Sequence, residues 1–296
     1  MTAREDAPAI TQEMIALYDD YTHLSLDRRK FMNSLAKLAG SMTAATAAAA
    51  MMSANAKAQS MVAADNARLE TAEVTWPGSS GEMKGYWAQP AGASEPLPAV
   101  IVVHENRGIN EHIRDVTRRM ALEGFVALGV DFLSAVGGTP ANEDDARGLF
   151  GQLDAAVTAA DGAATVNWLA TNEATNGHVG AIGFCWGGGT VNAIAVASPG
   201  LMAAVPYYGA AVSAADAAKI EARVMAHYGG LDDRTNAGIP AFEAALTAAG
   251  VDFQVFIYEG ANHAFNNDTS EARYNAEAAA LAWQRTVDFL HETLDG

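Results

Sequence analysis

Between residues 99 and 258 the chain repeats one pattern: a short apolar run, a polar or glycine-rich break, then a stretch with helical spacing. Ala99–Val103 and Phe125–Val130 are apolar without alternation, as in strands buried on both faces of a parallel sheet. Val179–Phe184, Met202–Tyr208, Ala222–Tyr228 and Phe253–Tyr258 read as further strands. Helices are predicted over Ile113–Leu122, twice between Ala146 and Thr171, from Trp186 to about Ala197, over about Ile239–Ala249 and about Ala272–Leu294. Ahead of them, Glu73–Trp76 and Met83–Gln89 flank the turn-prone Pro77–Gly81 as a hairpin. Strands alternating with helices predict an α/β class, with a doubly wound, mostly parallel central sheet flanked by helices.

One strand ends abruptly. Val179–Phe184 runs into Gly183-Phe184-Cys185-Trp186-Gly187, followed directly by the small-residue helix. Gly-x-Cys-x-Gly between strand and helix is the layout of a nucleophile elbow, with cysteine in place of serine. Glycines at positions 183 and 187 let the turn close without a side chain meeting the neighbouring backbone. The helix N-terminus and the Trp186 N–H point at the same spot and favour a thiolate there. A lone buried cysteine acting as a small hydrophobe is the bland alternative.

The amino-terminal stretch follows another pattern. Residues 1 to about 26 are polar and mixed, suited at most to one weak helix and carrying no evident chemistry. They are read as a disordered lead. Asp27-Arg28-Arg29-Lys30-Phe31-Met32 then precedes a moderately apolar Ala-rich run, which ends in Ala56-Lys57-Ala58. Paired arginines, weak hydrophobicity and an Ala-x-Ala end predict a twin-arginine export signal cut near Ala58. The Ala-rich composition and Lys37 disfavour a stable membrane anchor. The expected division is therefore 1–58, lead and export signal, and 59–296, the folded domain. The export machinery would be a partner of residues 27–58, and the product would be periplasmic or secreted, or cytoplasmic if the signal goes unread.

Composition narrows the function classes. The 296 residues are half hydrophobic, enough for one sizeable core. A formal charge of −17, from 18 basic and 35 acidic residues, argues against nucleic acid or anionic lipid as partner. A single cysteine excludes an internal disulfide framework and a multi-thiolate metal site. His104 and His112 flank Glu105 without His-Glu-x-x-His spacing, and Gly187–Gly189 lacks the Lys-Ser/Thr of a phosphate loop, so neither metal nor nucleotide cofactor is expected. A monomer or small homo-oligomer acting on a small molecule fits best.

Active groups in such a sheet gather beyond the carboxyl ends of its strands. Glu105, Cys185, Asp232 (with Asp233 beside it) and His263 fall there. The order Cys…Asp…His is that of the α/β-hydrolase triad. In that arrangement His263 would pair with the thiolate and protonate a leaving alcohol, while Asp232 would set its tautomer. Taken singly, His263 could be a solvated loop residue, and Asp232 and Asp233 turn residues.

Glu105 after a buried strand, Gly-Phe-Cys-Trp-Gly-Gly, Gly-Gly-x-Asp and Asn-His-Ala-Phe occur in this order from about residue 70 onward. Together they resemble the dienelactone hydrolase family. The resemblance implies an α/β-hydrolase fold and hydrolysis of carboxylic esters or lactones through a Cys185-His263-Asp232 triad and a thioester. It implies that Glu105 contacts the resting thiol and takes its proton when substrate arrives. It also implies an oxyanion hole from the backbone N–H groups of Asn106 and Trp186. Where relatives carry a carboxylate-gripping arginine just past the histidine, this chain has Asn266, Asn267 and Asp268. Arg107 and Arg147 are the remaining candidates for a substrate anion. A non-catalytic binding protein on the same fold and a thiol redox protein using Cys185 are the rival functions.

Overall fold

The computed structural model describes residues 9–23, 26–53 and 61–296. Its centre is one eight-stranded sheet of β1 (Leu69–Pro77), β2 (Glu82–Pro90), β3 (Leu97–Val103), β4 (Val126–Asp131), β5 (Thr175–Phe184), β6 (Leu201–Tyr207), β7 (Arg223–Gly229) and β8 (Phe253–Tyr258). The strand order is β1-β2-β4-β3-β5-β6-β7-β8. The hairpin β1–β2 pairs antiparallel, and β2 pairs antiparallel with β4; every pairing from β4 to β8 is parallel. The predicted α/β class and its mostly parallel sheet are what the chain forms.

The helices in chain order are α1 (Gln12–Thr22), α2 (Arg28–Ala39), α3 (Met42–Ser53), α4 (Glu111–Leu122), α5 (Glu143–Phe150), α6 (Ala155–Ala170), α7 (Trp186–Ala197), α8 (Ala214–Ala217), α9 (Asp233–Asn236), α10 (Ile239–Ala249) and α11 (Ala276–Leu294). Two apolar layers cover the sheet. One holds Ile113, Val116 and Met120 of α4 with Ala282 and Leu290 of α11. The other holds Val166 and Leu169 of α6, Val191 and Ile194 of α7, and Phe242 and Leu246 of α10. Strands β3 and β4 have buried side chains on both faces, which explains why their sequences do not alternate.

Asn176-Gly177, a pair that locally favours a turn, lies inside β5 instead. Leu97 pairs with Thr175, and Ala99 pairs with Val179, so β5 carries two extra residues there, with Gly177 at φ +91°. A glycine able to take positive φ allows the irregularity without ending the strand.

The amino-terminal stretch departs further from expectation. The lead expected to be disordered contains the 11-residue helix α1, capped by the Thr11 side chain. Helices α2 and α3 pack beside it, joined at Gly40 with φ +81°. Met14, Ile15 and Tyr18 of α1, Phe31 and Leu35 of α2, and Ala45, Ala48 and Met52 of α3 form a small core of their own. Each large side chain buried this way contributes about 1.5–3 kcal/mol. Arg28 and Arg29 are exposed at the start of α2. Among the described residues no helix is long and apolar enough to cross a membrane. The expected cleavage point after Ala58 lies outside the described residues.

Candidate active site

Cys185 follows β5 directly and serves as N-cap of α7, with φ 56° and ψ −114°. Gly183 and Gly187 make this geometry possible. A Cβ on Gly183 would lie 2.3 Å from the Gly187 carbonyl oxygen, and one on Gly187 would lie 2.5 Å from the carbonyl oxygens of His104 and Val103. The elbow therefore clamps the loop after β3 against α7. The other non-glycine residues at positive φ among those described, Tyr208 and Ala264, border the same site. Backbone strain gathered at one place suits a reaction centre, because the surrounding structure must hold it there.

His263 and Asp232 come from loops beyond β8 and β7. The His263 Nδ1–H donates to Asp232 Oδ2 at 2.5 Å, and both side chains are buried. Asp232 also caps α9 by accepting from the Thr235 N–H. Burial alone would raise the Asp232 pKa, but the hydrogen bond and charge of His263 hold it down to about 2. Burial alone would lower that of His263, yet the neighbouring Cys185 sulfur and Asp232 raise it to about 9. Its other nitrogen, Nε2, is buried without a hydrogen-bond partner. Ring nitrogens of His263 and His23 and the Cys185 sulfur all lie within 4.8 Å of one another. The predicted Cys185, His263 and Asp232 thus converge, while Asp233 lies beyond the cap in the first turn of α9.

Glu105 reaches the same space from the end of β3. Its Oε2 accepts from Asn267 Nδ2 at 2.7 Å, and its Oε1 is buried without a partner. Beside it, His104 orders the loop after β3. The His104 Nδ1–H donates to the Glu105 carbonyl at 2.7 Å, and Nε2 accepts from the Phe132 N–H. The His104 ring also stacks on Trp186, at 5.4 Å and 12° between planes. Trp186 opens α7, so its backbone N–H has no intrahelical acceptor.

The groups that sequence reading missed come largely from the amino-terminal arm. His23, just past α1, places Nε2 at 3.1 Å from the Cys185 sulfur. Its Nδ1 sits 2.6 Å from the Asp19 carbonyl, which can only accept, so the proton is on Nδ1 and Nε2 is the acceptor. Burial, with Arg234 adding to it, lowers the His23 pKa and keeps this tautomer neutral. His23 Nε2 thus faces the sulfur at 3.1 Å, a group that the sequence did not point to. Asn106 Nδ2 donates to the Thr22 carbonyl at 2.7 Å, and Arg107 donates to the Tyr18 hydroxyl at 2.9 Å. Arg147 lies over the Tyr21 ring at 5.0 Å. Arg273, ten positions beyond His263, pairs with Asp19 at 3.1 Å. One signal could have marked this segment. Met14, Ile15, Tyr18 and Thr22 fall on one helical face, ahead of a histidine and between paired acids and aromatics.

Two spaces meet at the sulfur. Glu105, Asn106, Arg107 and Arg273 surround a void of about 20 Å³ between the arm and Cys185, room for about one water. On the other side, Phe150, Leu153, Trp186, Tyr208 and Val212 border a largely apolar cavity of about 580 Å³ that also reaches Cys185 and His23.

The sheet order, the strained elbow after β5 and the histidine after the last strand define an α/β-hydrolase. The profile of the Dienelactone hydrolase family matches residues 83–294, and the chain belongs to that family. A separate profile, YqhI-like, matches residues 1–40. A Synechocystis protein named "Putative carboxymethylenebutenolidase" is 36% identical over 245 residues, covering 76% of this chain and 98% of that one. The crystal structure named "Putative Dienelactone Hydrolase" from Klebsiella pneumoniae is similar with a TM-score of 0.68 and 31% identity, over 76% of this chain and 99% of that one. A dienelactone hydrolase-like promiscuous phosphotriesterase, P91, from metagenomic libraries gives 0.66 and 26%, over 77% and 99%.

Proposed function

We propose that this hydrolase cleaves carboxylic esters or lactones through Cys185, with a thioester intermediate. The observation that carries this reading is the elbow sulfur beside a buried His263–Asp232 pair. The thiolate attacks the carbonyl carbon, and the carbonyl electrons move to oxygen, between the backbone N–H groups of Asn106 and Trp186. Collapse breaks the carbon–oxygen bond of the ester, and the His263 imidazolium gives its Nε2 proton to the leaving alkoxide. Neutral His263 then takes a proton from water as that water attacks the thioester, and the sulfur leaves. Glu105, with its free buried oxygen, receives the thiol proton before attack. In a lactone the released alcohol stays on the acyl chain.

The test is mass spectrometry of the intact protein after brief exposure to p-nitrophenyl acetate. An acetyl adduct on Cys185 is expected, with turnover lost in Cys185→Ala. Full turnover by Cys185→Ala would overturn the assignment. Export by the twin-arginine route is a separate proposal, supported by the exposed Arg28-Arg29 pair, and cleavage near Ala58 would strip the arm from the exported enzyme and leave it on the uncut, full-length form. An intact Met1 on exported protein would rule out cleavage near Ala58.

A further inference from the structure

The arm brings more than a cover to the site. Arg273 carries a buried positive charge next to Cys185 and Glu105, and a buried guanidinium needs an anion. That anion is not left for a ligand: Asp19 of α1 supplies it at 3.1 Å, while the Tyr18 ring lies 5.3 Å beneath the same guanidinium. Gln12 bonds Asn262 next to His263, and Thr22 holds Asn106, so the docked helix is fastened at both ends of this pocket. What remains between arm and sulfur is a space for one water. Among the described residues, the apolar cavity on the far side of Cys185 is wide enough for an acyl group, with Arg234 a charged residue at its border.

We propose that the amino-terminal helix is a specificity-determining wall of the active site: its Asp19 takes the place of a substrate carboxylate on Arg273, so the full-length enzyme selects uncharged acyl groups that enter through the apolar cavity. This rests on the reading of Cys185 as the nucleophile. His23 completes the wall, closing the arm side of the sulfur at 3.1 Å. Removing the Asp19 carboxylate leaves Glu105 as the remaining carboxylate that acts on Arg273 and opens room for a small anion beside the thiol. The selection should then reverse.

The chain's single cysteine allows the choice to be read at the sulfur without relying on hydrolysis. Iodoacetamide and iodoacetate both alkylate a thiolate with loss of iodide, and they differ in charge. In full-length protein the iodoacetamide-to-iodoacetate rate ratio at Cys185 should exceed, at least fivefold, that of the same protein unfolded in guanidinium chloride. Asp19→Ala should lower the folded ratio at least tenfold, and Asp19→Ala/Arg273→Ala should restore it. Asp19→Asn, which removes the charge but keeps the side chain's bulk, should lower the ratio at least threefold, and matching thermal midpoints separate charge from misfolding. A folded wild-type ratio no higher than the unfolded one, or an Asp19→Asn ratio within twofold of wild type, overturns the proposal. Loss of ester turnover dependence on Cys185 would instead overturn the catalytic reading, leaving the alkylation ratios to stand alone.

Discussion

His263 Nδ1 and Asp232 Oδ2 meet at 2.5 Å, buried, from loops 31 residues apart in sequence. This contact makes a protonated His263 and an ionised Asp232 mutually dependent. Asp232→Asn would leave the shape in place but remove the charge that holds the imidazolium. A fall in kcat of about 10²–10⁴ is expected. Steady-state hydrolysis of p-nitrophenyl acetate checks it, and a loss under tenfold would show that Asp232 only caps α9.

His263, raised by the Cys185 sulfur and then by Asp232, sets with Asp232 a pH window for stability. His263 is raised in the fold to about 9 from its usual 6.5, so its contribution is complete below about 6.5 and is lost as pH rises through about 9. Asp232 is lowered to about 2 from its usual 3.8, so its contribution is present above about 3.8 and is lost as pH falls through about 2. The protein should therefore lose of order 3 kcal/mol between pH 7 and pH 10 through His263. Urea unfolding at the two pH values measures the loss, and His263→Gln should flatten that step.

Much of this arrangement is legible in the residues, for reasons that differ by element. β8 and α10 match their predicted spans because each is a locally complete pattern, ending at glycine or at a change of period. The elbow is legible because Gly183 and Gly187 are demanded by contacts within a few residues and by the adjacent loop. The start of β5 was not, because Asn-Gly signals a turn locally and only the pairing with β3 shows it absorbed within a strand. Asp19, His23 and Arg273 stay silent for the same reason in stronger form. Asp19 and Arg273 meet across 254 positions, and His23 and Cys185 across 162. No local spacing encodes such contacts.

Gly187 offers a direct test of the clamp. An alanine there would place its Cβ 2.5 Å from two backbone oxygens, His104 and Val103, neither of which can rotate away. Gly187→Ala should destabilise the fold by about 1–3 kcal/mol through overpacking. It should also displace the loop carrying Glu105 and Asn106 and so lower turnover more than it lowers stability. A urea midpoint and a kcat measured on the same preparation decide the matter. An active variant with an unchanged midpoint would mean that the loop has room to move.

Glu105 separates the chemistry of proton release from that of folding. Its Oε2 accepts from Asn267, a bond that a glutamine carbonyl oxygen can keep, while the partnerless Oε1 becomes an amide that cannot accept the thiol proton. Glu105→Gln should therefore retain the urea midpoint within about 1 kcal/mol, as isosteric changes that preserve a hydrogen bond commonly do. Its turnover should fall by about 10²-fold, the typical scale for removing a positioned acid–base group. Because the defect lies in forming the thiolate, acylation should slow while hydrolysis of the thioester is little changed. The burst of p-nitrophenol would then disappear before the steady-state rate does. Wild-type burst kinetics in Glu105→Gln would instead assign proton acceptance to His23, whose Nε2 already faces the sulfur at 3.1 Å.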